Sequence, residues 1–243
     1  YCMDCMDALK SVPDKYFDCC VADPPYGISI TSRHRSQSVQ VERESRTPLV
    51  GGAGRPFGGK NASIWGKPKS PCESTFYPVF DDSSPPDADA FRELERVSQK
   101  LIIWGGNFFL DNLGAASCMV IWDKKRRGLD QADCEIAWTN LSGQSRIFEY
   151  RWNGMLQENM KNKEKRIHAT QKPTDLYRYL YDLCKLQPGD KVLDPYLGSG
   201  SSRIAAWDMN LDFTGYEISQ VYFDLQQERF AAYTAQQSLF VTE

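Results

Sequence analysis

Histidine and long apolar runs are the two things this sequence has least of, and each shortage removes a class of protein. Two histidines in 243 residues are too few for a metal centre built mainly on imidazole. Cys2-x-x-Cys5 has no matching second pair, so the usual spacing of a structural zinc site is missing as well. No apolar stretch approaches the roughly twenty residues of a membrane span, and no secretory leader is visible. Of the eight cysteines, Cys19, Cys20, Cys118, Cys134 and Cys184 lie inside apolar segments. They read as reduced core thiols, and the expected location is the cytoplasm.

The net charge of −3 is too small to name a partner, but its distribution is uneven. Between Ser29 and Ser70 stand Arg33, Arg35, Arg43, Arg46, Arg55, Lys60, Lys67 and Lys69, against Glu42 and Glu44 alone. Lys124 to Arg127 form a second cluster, and Lys161, Lys163, Lys165 and Arg166 a third. Basic patches on an acidic chain suit a polyanion, although solvated loops carry the same composition.

The length fits a single α/β domain spanning 1–243. Strands are expected at Phe17–Ala22, Leu101–Trp104, Cys118–Trp122, Cys134–Thr139, Arg146–Trp152, Lys191–Asp194 and Asp212–Glu217. Helices are expected over Asp87–Gln99, Thr174–Leu186 and Ser201–Met209, with a last helix capped by Ser219. Residues 28–86 show almost no periodicity and read as a flexible basic loop that could close over a substrate. Residues 123–167 hold two short polar segments of the kind that could read a target.

Two turns carry chemistry. The first is Asp23-Pro24-Pro25-Tyr26-Gly27, directly after a strand. Its prolines stiffen the backbone and remove two donors, so an acidic acceptor, a carbonyl and a flat ring are presented together. That set suits a planar group bearing an NH2, although an aspartate in a proline turn can also serve as a simple cap. The second turn is Asp194-Pro195-Tyr196-Leu197-Gly198-Ser199-Gly200-Ser201, between a strand and a helix, with Glu217 ending the next strand. Glycines there let a ligand approach the backbone, and a carboxylate at that distance can hold a ribose. A third glycine is missing, so this is not a standard NAD fingerprint.

Asp23-Pro24-Pro25-Tyr26 resembles motif IV of the S-adenosylmethionine-dependent amino-methyltransferases of DNA. Asp194 to Gly200 resembles their motif I, Gly215-Tyr216-Glu217 their motif II, and His168-Ala169-Thr170-Gln171-Lys172-Pro173 their motif X. Met3 to Leu9 is similar to the acidic segment that precedes motif IV, and the order of the motifs is that of the β group.

The resemblance implies a doubly wound, Rossmann-like sheet, mostly parallel with an antiparallel edge, and a circularly permuted motif order. It implies an enzyme that methylates the amine of a base flipped out of duplex DNA, with S-adenosylmethionine as cofactor. Asp23 and the Pro24 carbonyl would hold the amine hydrogens, Pro25 would fix the turn, and Tyr26 would stack on the base. Asp4, Asp194, Tyr196, Gly198, Gly200, Ser201 and Glu217 would line the cofactor, with Thr170 and Lys172 near its methionine end. No metal is implied. Asp at position 23 favours adenine N6, with cytosine N4 as the alternative. RNA or single-stranded DNA as substrate and a catalytically silent subunit are further alternatives. Members of the family often pair as dimers, and nothing in the sequence marks an interface.

Overall fold

Strand β1, Phe17–Ala22, is buried on both faces along almost its whole length, which marks it as a central strand. It emerges from helix α1, Cys5–Leu9, whose Asp4 cap accepts from Met6 N at 2.9 Å. The computed structural model describes residues 1–28, 77–78, 82–128, 132–153 and 156–238. Most of the expected loop at 28–86, with its basic cluster, therefore lies outside the described residues.

Helix α2, Ala88–Val97, starts at the Asp87 cap and buries Phe91, Leu94 and Val97 along one stripe. It passes without a connection into β2, Ser98–Trp104. A 3₁₀ turn at Gly106–Phe108 and the single-turn α3, Leu110–Leu113, lead to β3, Met119–Asp123. Then follow β4, Cys134–Thr139; β5, Arg146–Glu149; β6, Trp152–Asn153; and β7, Leu156–Gln157. The last third runs α4 (Thr174–Leu183), β8 (Lys191–Asp194), α5 (Ser201–Asp208), β9 (Asp212–Gly215) and α6 (Gln220–Ser238).

Seven strands form one sheet in the order β5-β3-β4-β2-β1-β8-β9. All neighbours are parallel except at β4, which runs against both β2 and β3. The mostly parallel, doubly wound sheet is thus as expected, with one correction. The reversed strand is interior, because β3 and then β5 continue the sheet beyond it, and the outermost pair is parallel. Hydrophobic cores cover both faces. Cys19, Val21, Ile102, Trp104, Trp122 and Val192 pack under α4 and α5, while Cys20, Ala22, Ile103 and Leu193 pack under α1 and α2.

Three local expectations change. The strand expected at 146–152 divides into β5 and β6: Tyr150 N still donates to Asp123 O at 3.0 Å, continuing the parallel ladder of β5 on β3, and the chain leaves the sheet after it. Trp152 belongs instead to the two-stranded β6–β7 ribbon, and its indole donates to Gln171 O at 2.8 Å. Helix α4 stops at Leu183, where Cys184 caps it and Lys185 takes a left-handed φ of 54°. Among the described residues, no helix is long and apolar enough to cross a membrane.

Candidate active site

The carboxyl ends of β2, β1, β8 and β9 lie side by side, because these four strands are parallel neighbours. From that edge come Gly105 after β2, Asp23 after β1, the turn after β8, and Glu217 beyond β9. The first and second chemical turns are therefore brought to one end of the sheet.

Asp23 is part-exposed at the tip of β1, and its Oδ1 accepts from the Tyr26 hydroxyl at 2.7 Å. Pro24 is buried and Pro25 half-buried between them. The Tyr26 ring stacks on Phe108 at 5.1 Å between centroids and 20° between planes, with Phe109 edge-on at 6.1 Å. Burial first, and then the Asp23 charge, push the Tyr26 phenol well up, so it stays a hydroxyl donor. The ring depends on Gly105, which has a φ of 69° and where a Cβ would run into the ring itself. Next to it, a Cβ on Gly106 would stand 2.8 Å from Trp138 N. This Gly-Gly pair, absent from the expected site residues, lets the aromatic floor form.

Lys172 is delivered by the turn before α4, where Gln171 N donates to His168 O at 3.2 Å. Its side chain is 3% exposed. The ammonium pairs with Asp23 Oδ2 and lies 3.3 Å from Glu135 Oε2 and 3.4 Å from the Tyr26 hydroxyl. It also sits 5.5 Å from the Trp104 ring centroid. Burial works to lower the Lys172 pKa, but Asp23 and Glu135 outweigh it and hold the group charged. The other oxygen of Glu135 pairs with Lys124, itself largely buried. Burial pulls the Glu135 carboxyl up, yet the two ammonium groups bring it down to about 2.

Neither Glu135 nor Lys124 stood among the expected site residues, and Lys172 was expected beside the cofactor. Only the Lys172 main chain turns that way, its carbonyl accepting from Ser201 Oγ at 2.7 Å. The basic cluster at 124–127 is also partly used within the fold. Lys124 points inward, Arg127 pairs with Asp123 at 2.6 Å and Lys125 with Glu158 at 3.4 Å.

The second turn is braced from below. Asp194 is 1% exposed, and its carboxylate accepts from Tyr196 N at 3.0 Å and from the Ser202 hydroxyl. Burial raises its pKa to about 7, with Ser202 and Tyr196 opposing. Gly200 adopts a φ of 72° as the cap of α5, with Gln226 Oε1 3.1 Å from where a Cβ would be. Gly198 differs: its φ is 50°, and a Cβ there would meet Tyr196 O at 3.8 Å and the His168 ring at 3.9 Å, ordinary contact distances, so the backbone conformation is what calls for glycine. Its N–H donates to Glu217 Oε2 at 2.8 Å, and Ser219 N donates to Oε1 at 2.8 Å. Tyr196 is half-buried above, and Asp4 is exposed at the α1 cap. Thr170 lies beside His168, whose Nδ1 is 3.2 Å from Thr170 N and 3.1 Å from its hydroxyl. Burial, then Lys172 and Arg166, push His168 down to about 4, which keeps it neutral.

One clamp was not anticipated. Arg229 of α6 donates to Ser199 O at 2.7 Å and to Ser201 Oγ at 3.0 Å. Its other nitrogen reaches Glu164 at 2.6 Å, and Glu164 in turn caps α4 through Thr174 N at 2.9 Å. The cofactor-type turn, the start of α4 and the segment after β7 are tied together at one guanidinium.

Residues 121–228 match a family described as DNA methylase. The Type II methyltransferase M.HpaI of Haemophilus parainfluenzae is 37% identical over 68 residues, 28% of this chain and 21% of that protein. M.HinfI of Haemophilus influenzae is 37% identical over 73 residues, 30% of this chain and 20% of that protein. The chain thus spans about a fifth of the length of these curated relatives. Among solved structures, the M1.HpyAVI–SAM complex superposes with a TM-score of 0.52 at 15% identity, covering 94% of this chain and 97% of that one. The PvuII DNA methyltransferase, described as cytosine-N4-specific, superposes with a TM-score of 0.53 at 11% identity, covering 95% and 85%. At these identities the structural matches speak to the fold.

Proposed function

We propose that this chain is a member of the DNA methylase family matched by residues 121–228, and that it transfers a methyl group from S-adenosylmethionine to the exocyclic amine of a base turned out of duplex DNA, with adenine N6 as acceptor. The observation that carries the reading is one of placement. Asp23 with the Tyr26 ring stands at the end of β1, and Gly198 with Glu217 stands across the ends of the two next strands.

The residues at the second turn fit the cofactor. Gly198 carries no side chain over the turn and holds its N–H on Glu217, and each Glu217 oxygen already accepting one amide keeps a lone pair for a ribose hydroxyl. Asp4, as the family resemblance implies, would accept from the adenine amine, with Tyr196 beside it. Asp194 serves differently from the resemblance's suggestion: it braces the turn from beneath. When bound, S-adenosylmethionine supplies an electrophilic methyl group on a positively charged sulfur.

The chain's own residues prepare the amine. Tyr26 offers its ring to the flat base and fixes the Asp23 carboxylate through its hydroxyl. Asp23 and the Pro24 carbonyl accept the two amine hydrogens, which draws the nitrogen lone pair out of conjugation with the base. Positive charge then develops on that nitrogen as its bond to carbon forms, and the Asp23 carboxylate stabilises it. The surplus proton leaves afterwards, so a strong base is not needed.

Adenine is favoured by the Asp at the head of the tetrapeptide. Residues 28–86 and 123–167 are the stretches available for reading the target. The test is methyl transfer from labelled S-adenosylmethionine to unmethylated duplex DNA by wild-type and Asp23→Ala protein, with nucleosides identified by mass spectrometry. N6-methyladenine lost in the variant supports the reading. N4-methylcytosine corrects the base and keeps the mechanism. Transfer to single strands or RNA alone corrects the substrate, and cofactor binding without any transfer points to a silent subunit.

A further inference from the structure

The methyl-transfer reading leaves two buried charges without a task, Glu135 and Lys124. Together with Lys172 and Asp23 they form a string of alternating sign, Asp23–Lys172–Glu135–Lys124, in which each link is an ion pair. The string joins three distant parts of the chain: the turn after β1, the turn before α4, and the facing ends of β3 and β4. Register explains the meeting. Trp104 pairs with Ala137, so the reversed β4 extends Glu135 past the end of β2, onto the edge where Asp23 stands.

A single buried ammonium needs one carboxylate to compensate it, and Asp23 alone would suffice. Lys172 has two. Yet an Asp23 fully spent on Lys172 would meet the amine as part of a neutral pair, which stabilises a developing cation poorly. Glu135 shares the Lys172 charge, so that the string, neutral as a whole once Lys124 is counted, presents its negative end, Asp23, to the amine. Glu135 Oε2 lies 3.3 Å from the Lys172 ammonium and has no hydrogen-bond partner among the described residues, so it acts on Lys172 through charge. Lys124 sits at the outer end, on the other oxygen.

We propose that Glu135 is a positioning residue for methyl transfer: by sharing Lys172 it leaves Asp23 with net negative charge directed at the substrate amine, while Lys172 still fixes the orientation of Asp23. The inference rests on the methyl-transfer reading but holds for adenine and cytosine amines alike, since both become cationic.

The test uses Glu135→Gln, Glu135→Asp, Lys172→Met and the Glu135→Gln/Lys172→Met double variant. Each is measured for single-turnover transfer rate, for KM towards DNA, and for S-adenosylhomocysteine binding by calorimetry. Glu135→Gln is expected to slow transfer about 10- to 100-fold, with both binding measures within about twofold of wild type. Glu135→Asp keeps the charge and is expected to retain the rate within about fivefold. Removing Lys172 as well frees Asp23 from its neutralising partner, so the double variant is expected to run at least about tenfold faster than Glu135→Gln alone. A purely structural Glu135 would give the opposite, a double variant as slow as its parents or slower. That result overturns the proposal, as does a Glu135→Gln rate within about threefold of wild type or a Glu135→Asp rate as low as that of Glu135→Gln. A wild type that transfers no methyl group to any nucleic acid removes the underlying reading too, whereas an active wild type indifferent to Glu135→Gln removes this inference alone.

Discussion

Replacing Asp194 by asparagine changes the stability of this protein in a way that depends on pH, and the sign follows from burial. Asp194 is raised to about 7 in the folded chain, from an ordinary value of 3.8. Between those limits the folded state holds a proton that the unfolded state has released, so rising pH destabilises the fold at up to about 1.4 kcal/mol per pH unit. Over the whole window the loss is of order 4 kcal/mol. His168 works in reverse. It is lowered to about 4 from 6.5, so between those values the unfolded state holds the extra proton and rising pH stabilises the fold, by roughly 3 kcal/mol in all. In the wild type the two slopes nearly cancel from pH 4 to 6.5. Urea unfolding of wild type, Asp194→Asn and His168→Phe at half-unit steps from pH 4.5 to 8 separates them. The difference between Asp194→Asn and wild type should grow in favour of the variant up to about pH 7 and then level. The difference for His168→Phe should move against the variant up to about pH 6.5. Parallel wild-type and Asp194→Asn curves across that range would refute the argument that burial governs the Asp194 carboxyl.

Other consequences are as direct. Gly105→Ala must strain a left-handed residue and push the Tyr26 ring aside, costing about 1 to 3 kcal/mol in urea unfolding and lowering transfer more than cofactor binding. Arg229→Met leaves the Glu164 carboxylate without its ion-pair partner, on Thr174 alone, and loosens the Ser199–Ser201 turn. A loss of about 3 kcal/mol or more is expected, with weaker S-adenosylhomocysteine binding by calorimetry. Glu217→Gln keeps the shape but offers one acceptor oxygen where there were two, and should weaken the same binding about tenfold.

The motifs that were legible in the sequence share one property: each packs its chemistry into consecutive residues. Asp23 to Tyr26 follows its strand at once, and Gly198, Gly200 and Ser201 belong to a single strand-to-helix connection. What was not legible depends on chain crossings. Glu135 sits in a strand whose pattern says only that it is half-buried, and Lys124 in a turn whose composition says only that it is basic. Arg229 meets Glu164 from 65 residues away. The break after Tyr150 was hidden for another reason, since Phe148, Tyr150 and Trp152 carry the same aromatic signature on either side of it, and Trp152 is taken from the sheet by its own ribbon and by the bond of its indole to Gln171 O.

The reversal of β4 has a consequence for how such a protein can diversify. In a parallel sheet the active edge receives only the loops that leave strand ends. A strand running the other way begins where its neighbours finish, so the connection from β3 into β4 opens onto that same edge. Extra residues placed inside that connection, beyond the bond from Lys124 N to Asp133 O, would extend over the end where Asp23 stands and leave the ladder intact. One inverted strand thus gives the scaffold a port at which segments can be exchanged while Asp23 and its charge string stay in place.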